Sequence, residues 1–178
     1  MNVFLDLEGT VITSWGEGLL TNITKVRDAL QARDTKNVRL FSFAVQNPTD
    51  QSHFRTHFKP LLEKALDVVF LDSPSVVDFQ QADSAVGGFH WDSQWEFIRV
   101  RGKVDGFRSW CKVNFPGQHN LLIDDAVPNA TWRDADSGLV LDYVNVDSLT
   151  EPKPPTEKKE GGILGPLDSM GRYAWQWD

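Results

Sequence analysis

The chain has 178 residues, 40% of them hydrophobic and 24% charged, which suits one domain with a core of its own. Its 18 basic and 25 acidic residues leave a net charge of −7, which disfavours extended nucleic-acid binding, where a basic face must neutralise phosphates. No apolar run could cross a bilayer, no secretory signal precedes the first strand, and the single Cys111 excludes an internal disulfide framework or a multi-cysteine zinc site.

A cytoplasmic protein without membrane association is therefore expected. Along the chain, apolar strands alternate with amphipathic helices, the pattern of a parallel α/β sheet covered on both faces. A first strand is expected over residues 2–7. After a Gly-containing loop, Asn22 is placed to cap a helix carrying Ile23, Val26 and Leu30 on one stripe. A second strand spans residues 38–45. Thr49 then caps a helix with Phe54, Phe58, Leu61, Leu62 and Ala65 inward, bent at Pro60. A third strand covers residues 67–71. Residues 72–102 mix Pro, Gly, Asp and aromatics, and only a short strand over 95–100 is read there. A helix starts near Lys103 and turns Val104, Phe107, Trp110 and Cys111 inward, with Cys111 a buried small residue rather than a nucleophile. Strands over 120–123 and 138–144 complete a domain of residues 1–150. Residues 151–178 read as a Pro/Lys/Glu/Gly linker, with nothing apolar to bury up to residue 162, followed by an aromatic tail.

The chemistry lies at strand ends. Val3-Phe4-Leu5 delivers Asp6 and Glu8, two carboxylates at i and i+2, and Gly9 lets the backbone turn after them. A second apolar run, Leu121-Leu122-Ile123, ends in Asp124-Asp125. Ligands of α/β proteins bind at the carboxyl edge of the sheet. Two acidic strand ends facing one cleft repel each other unless a divalent cation neutralises them, and carboxylate oxygens suit Mg²⁺. Either pair alone has a plainer reading, because Asp and Glu also open turns after strands. Their coincidence favours a site.

These residues resemble the haloacid dehalogenase (HAD) superfamily of phosphohydrolases over residues 1–149. Asp6-Leu7-Glu8-Gly9-Thr10 is similar to its first motif, Asp-x-Asp-Gly-Thr after an apolar strand, with Glu8 in place of the second Asp as in the enolase-phosphatase branch. Leu40-Phe41-Ser42 resembles the second motif. Lys103, 21 residues before Asp124, resembles the third. Ile123-Asp124-Asp125 with Asn129 resembles the fourth. Lys103 is preferred to Lys112 because it follows Gly102 at the helix start. The resemblance implies a HAD-like fold, a Rossmann-like parallel sheet flanked by helices, with a minimal cap or none. The first-motif loop is short, and the other insertion point holds only residues 72–102. Asp6 would be the nucleophile that forms an aspartyl-phosphate. Glu8 would be the general acid/base, with its carbonyl toward the metal. Ser42 would hydrogen-bond a phosphoryl oxygen, and Lys103 would offset the negative charge of nucleophile and substrate. Asp124 and Asp125 would join Asp6 and Glu8 around Mg²⁺.

Other features are weaker. His53 and His57 stand at i, i+4, but no Glu lies between them as in a zinc protease, so a metal role is disfavoured. Arg99, Arg101 and Lys103 form a basic strip, which gives Arg101 a substrate-binding role at the cleft rim or merely a solvated one. Phe89, Trp91, Trp95 and Phe97 cover the sheet or stack on a base. The leading expectation is a Mg²⁺-dependent phosphohydrolase acting on a small phosphorylated ligand, nucleotides included. The alternative is a non-hydrolytic protein that holds such a ligand, with Glu8 marking weakened chemistry. A two-metal exonuclease ranks last, since its later His-x-x-x-x-Asp motif has no counterpart at the right distance. Nothing in the sequence marks an oligomeric state.

Overall fold

Val3, Phe4 and Leu5 are all buried, the mark of a strand covered on both faces, and β1 (Asn2–Leu5) accordingly lies inside a six-stranded sheet. The computed structural model describes residues 1–150; the expected linker and aromatic tail, residues 151–178, lie outside the described residues. The chain continues through α1 (Ile23–Ala32), β2 (Asn37–Leu40), α2 (Pro48–His53), a π-helical turn (Phe54–Phe58), α3 (Lys59–Leu66) and β3 (Val69–Phe70). Then come α4 (Val76–Gly87), α5 (Gln94–Asn114), β4 (His119–Asp124), β5 (Ala130–Arg133) and β6 (Val140–Asn145). The strand order is β3-β2-β1-β4-β6-β5, parallel throughout except for β5, which runs antiparallel to β6 at one edge.

Strand alternation sorts the side chains into two cores. Val3, Leu5, Leu121 and Ile123 face Val26 and Leu30 of α1 and Leu62 and Leu66 of α3. Phe4, Leu122, Leu141 and Tyr143 face Val76 and Phe79 of α4 and Phe97 and Phe107 of α5. Phe4 meets Phe107 edge-on, ring centroids 4.9 Å apart, a geometry favoured by the aromatic quadrupole. The α/β architecture with helices on both faces is as expected.

Several boundaries differ from those expected. β2 ends at Leu40 because Asp72 accepts the Leu40 N–H and pairs with Arg39 at 2.6 Å. β3 is shorter than residues 67–71, since Asp67 adopts a left-handed φ of 57° that closes α3. Asn22 makes no capping bond; its amide instead donates to the carbonyls of Gly9 and Thr10. The cap of α2 is Asn47, which accepts the Asp50 N–H at 3.0 Å, two residues before Thr49. Pro60 stands in the first turn of α3, where its missing N–H costs no helical bond, and a π-helical turn over Phe54–Phe58 precedes it. Leu61, expected inward, is 52% exposed.

Residues 95–100 are helical, not a strand. Ser93 caps them by accepting the Glu96 N–H, and Phe97 is buried. With α4, capped by the Ser75–Asp78 box, they pack as a layer on the sheet. Asp83, buried between the two helices, accepts from the Trp91 indole at 2.7 Å and the Ser109 hydroxyl at 2.8 Å. No helix among the described residues is long and apolar enough to cross a membrane.

Candidate functional site

β1 and β4 pair in parallel with Leu5 opposite Ile123, so the next residues, Asp6 and Asp124, emerge side by side. From β1 the chain winds outward to β2 and β3, then returns to place β4 on the other side of β1. The crossovers part at this point, the kind of switch point at which α/β sheets bind ligands. Asp6 shares the parity of Phe4, and Asp124 that of Leu122, which directs both toward α5.

A break in α5 completes the arrangement. Gly102 has φ 68° and ψ −170°, a conformation open essentially to glycine, and the second half of the helix starts at Lys103. The Lys103 ammonium lies 2.8 Å from Asp6 Oδ1 and 2.6 Å from Asp124 Oδ2. Its rival, Lys112, lies over the Trp132 ring instead. The Thr10 hydroxyl donates to Asp6 Oδ2 at 3.2 Å and accepts the Asp125 N–H at 3.1 Å, linking the two acidic strand ends. Asp124 Oδ1 accepts the Ala126 N–H at 2.7 Å. Gly9 is required on two counts: its φ is +75°, and a Cβ there would sit 2.1 Å from Asp125 Oδ2.

Oxygens of Asp6, Asp124 and Asp125 lie within 4.8 Å of one another. Three ionised carboxylates against one ammonium leave two negative charges, which a divalent cation would balance. Their hard oxygen donors are of the kind that could hold a divalent metal ion. Burial raises the Asp124 carboxyl above its usual range despite Lys103. Burial, then Asp6 and Asp124, push Asp125 up to about 6. Burial alone would lower Lys103, but the two carboxylates outweigh it and hold its ammonium above the ordinary value.

A carboxyl whose folded pKa is raised stabilises the fold below its unfolded value of 3.8, and this contribution is lost as pH rises through about 6. In EDTA, the wild type is expected to lose melting temperature relative to Asp125→Asn between pH 5 and pH 8. Mg²⁺ is expected to restore it mainly at pH 8. Thermal melts of both proteins check this; the same Mg²⁺ shift at both pH values would exclude coordination by Asp125.

The remaining expected residues are dispersed around this cluster. Glu8 is exposed, and its Oε2 accepts the Trp15 N–H at 2.7 Å. Ser42 is fully buried; its oxygen accepts the Ala44 N–H, and among the described residues no hydrogen bond joins it to Asp6 or Lys103. Arg101 pairs with Asp83 and lies over the rings of Phe89 and Trp91, and among the described residues no ion pair joins it to Asp6, Asp124 or Asp125. Asn129 accepts the Asn145 N–H and so secures the end of β6 rather than the cluster. Phe97 covers the sheet, whereas Trp95 is 69% exposed. Sequence reasoning gave no role to Thr10, although it lies within the first motif, and misread Asn22, which pins that motif's loop. Phe43, whose ring lies 4.9 Å from the Lys103 ammonium, had no sequence signal. No family model, no curated protein and no solved structure matches this chain.

Proposed function

We propose that the protein is a Mg²⁺-dependent phosphohydrolase of the HAD type that cleaves a phosphomonoester through an aspartyl-phosphate on Asp6. The observation that carries this reading is the Asp6–Lys103–Asp124 bridge beside Asp125 at the switch point of the sheet. An anionic nucleophile can approach an anionic phosphate only where positive charge offsets both, and this site combines one fixed cation with donors for a second. The packing of α4 and α5 on the sheet face fits a minimal cap.

Asp6 attacks phosphorus while the ester P–O bond breaks, and the leaving oxygen takes a proton from Glu8. Lys103 on Oδ1 and Thr10 on Oδ2 fix the plane of the attacking carboxylate. The Ser42 oxygen accepts from Ala44, and because Ser42 is fully buried its hydroxyl would reach a phosphoryl oxygen only if the loop over it shifts. Glu8 then takes a proton from water, whose oxygen attacks phosphorus. The bond to Asp6 breaks and inorganic phosphate leaves. Asp6, Asp124 and Asp125 are the residues that would hold Mg²⁺, which when bound neutralises charge between nucleophile and substrate.

One observation favours the second reading, a binder without turnover: Glu8 already spends an oxygen on the Trp15 N–H. The two readings separate on Glu8 variants. Shortening the side chain in Glu8→Asp withdraws it from Trp15, so turnover is expected to fall by roughly tenfold or more. Glu8→Ala is expected to lose ~10²–10⁴ in kcat while ligand affinity survives. The measurement is phosphate release from an aryl phosphate with Mg²⁺ and with EDTA. Stabilisation of the wild type by beryllofluoride with Mg²⁺, without any phosphate release, would establish the binder instead.

A further inference from the structure

We infer that the leaving-group side of this site carries an aromatic patch, Trp15 beside His53, that receives the aromatic base of a phosphomonoester such as a nucleoside monophosphate. This rests on the phosphohydrolase reading and narrows it to a substrate class. Glu8 is the anchor. Its carboxylate accepts the Trp15 N–H at 2.7 Å, so the Trp15 Cα stands one bond beyond the partner of the group that protonates the ester oxygen.

From there a row of rings leads along the α2 side. The Trp15 indole is half-buried and packs against His53 and Phe58, each at a centroid distance of 5.1 Å. His53 in turn lies 4.5 Å from the exposed His57. Phe58 is buried and anchors the row to the core. The row follows the π-helical turn over Phe54–Phe58, a rare winding that occurs frequently at functional sites. Among the described residues, neither the indole N–H of Trp15 nor any ring nitrogen of His53 or His57 has a hydrogen-bond partner. Those polar edges are free for a base or a sugar hydroxyl; the rings meet at angles of 43–60°, so a base would stack on one of them, Trp15 or His53, rather than across the row. Asn22 holds the loop that carries Trp15 through the carbonyls of Gly9 and Thr10, so the patch is fixed relative to Asp6.

The test compares kcat/KM for adenosine 5′-monophosphate and ribose 5-phosphate, which share a primary ester oxygen and differ in the ring. The wild type is expected to favour the nucleotide by about tenfold or more, the scale of one base–aromatic stack. Trp15→Ala and His53→Ala are expected to bring that ratio toward one, and Trp15→Phe to retain most of it. A ratio near one in the wild type, or one unmoved by both alanine variants, overturns the patch while leaving the phosphohydrolase reading intact. Calorimetric binding of the same two compounds with Mg²⁺ covers the opposite case. Ring-dependent affinity lost in Trp15→Ala, without phosphate release, supports the patch and defeats the hydrolase. Equal affinities overturn the patch.

Discussion

Asp6→Asn is expected to reduce phosphate release by roughly 10³-fold or more, the scale seen when a covalent nucleophile is removed. The amide has nearly the same shape, can still accept from Thr10, and cannot form the acyl-phosphate. Lys103 keeps its 2.6 Å bond to Asp124, so the ion pair between α5 and β4 survives. In EDTA the variant is expected to melt no lower than the wild type, because one of three crowded carboxylates has lost its charge. Mg²⁺ should then bind more weakly. Phosphate release and EDTA melts on the same preparation decide the matter. Activity within tenfold of the wild type would move the nucleophile elsewhere.

Lys103→Met has the largest expected effect on stability. Methionine keeps an apolar stem under Phe43 but leaves Asp6, Asp124 and Asp125 facing one another without a cation. Removing one member of a buried ion pair typically costs ~3–5 kcal/mol, because the remaining charge has no counterion. At neutral pH in EDTA this corresponds to roughly 6–20 °C in Tm for a domain of this size. The deficit should shrink in acid, where the carboxylates take up protons, and with Mg²⁺, which replaces the missing charge. Catalysis should still fall by ~10²–10³, since the metal cannot stand in for both cations. Melts at pH 5 and pH 8, with EDTA and with Mg²⁺, would show this pattern; an unchanged Tm in EDTA at pH 8 would mean that the ammonium does not hold the cluster together.

Local signals carried some elements correctly and misled at others. The apolar runs that end in Asp6 and Asp124 were legible because burial on both faces requires continuous apolar residues before the acids. Lys103 was legible as a helix start because Gly102 precedes it. The helices over 76–101 were not recognised, although Ser75–Asp78 and Ser93–Glu96 are capping pairs, because the mixture of Trp, Gly and charged residues hides a helical stripe. Arg101 read as an exposed cation beside the site, yet Asp83, 18 residues earlier, claims it. Asn22 read as a cap because a cap is a local motif, whereas its real partners lie 12 and 13 residues back across a loop.

Asp6, Glu8, Asp124, Asp125 and Lys103 as candidate site residues, and a parallel α/β sheet to carry them, were legible in short stretches of sequence. Alternation, propensity and turn chemistry act within a few positions and need no partner from afar. The convergence of Asp6, Asp124, Asp125 and Lys103 was not written there. It required β4 to pair with β1 rather than with β3, the Leu5–Ile123 register to bring two acids level, and the Gly102 break to aim one ammonium at both. Glu8 on Trp15, and Trp15 on His53, likewise depend on how a loop closes over α2. Such contacts follow from which faces pack together, a choice made by competing burial across the whole sheet and not by any one segment.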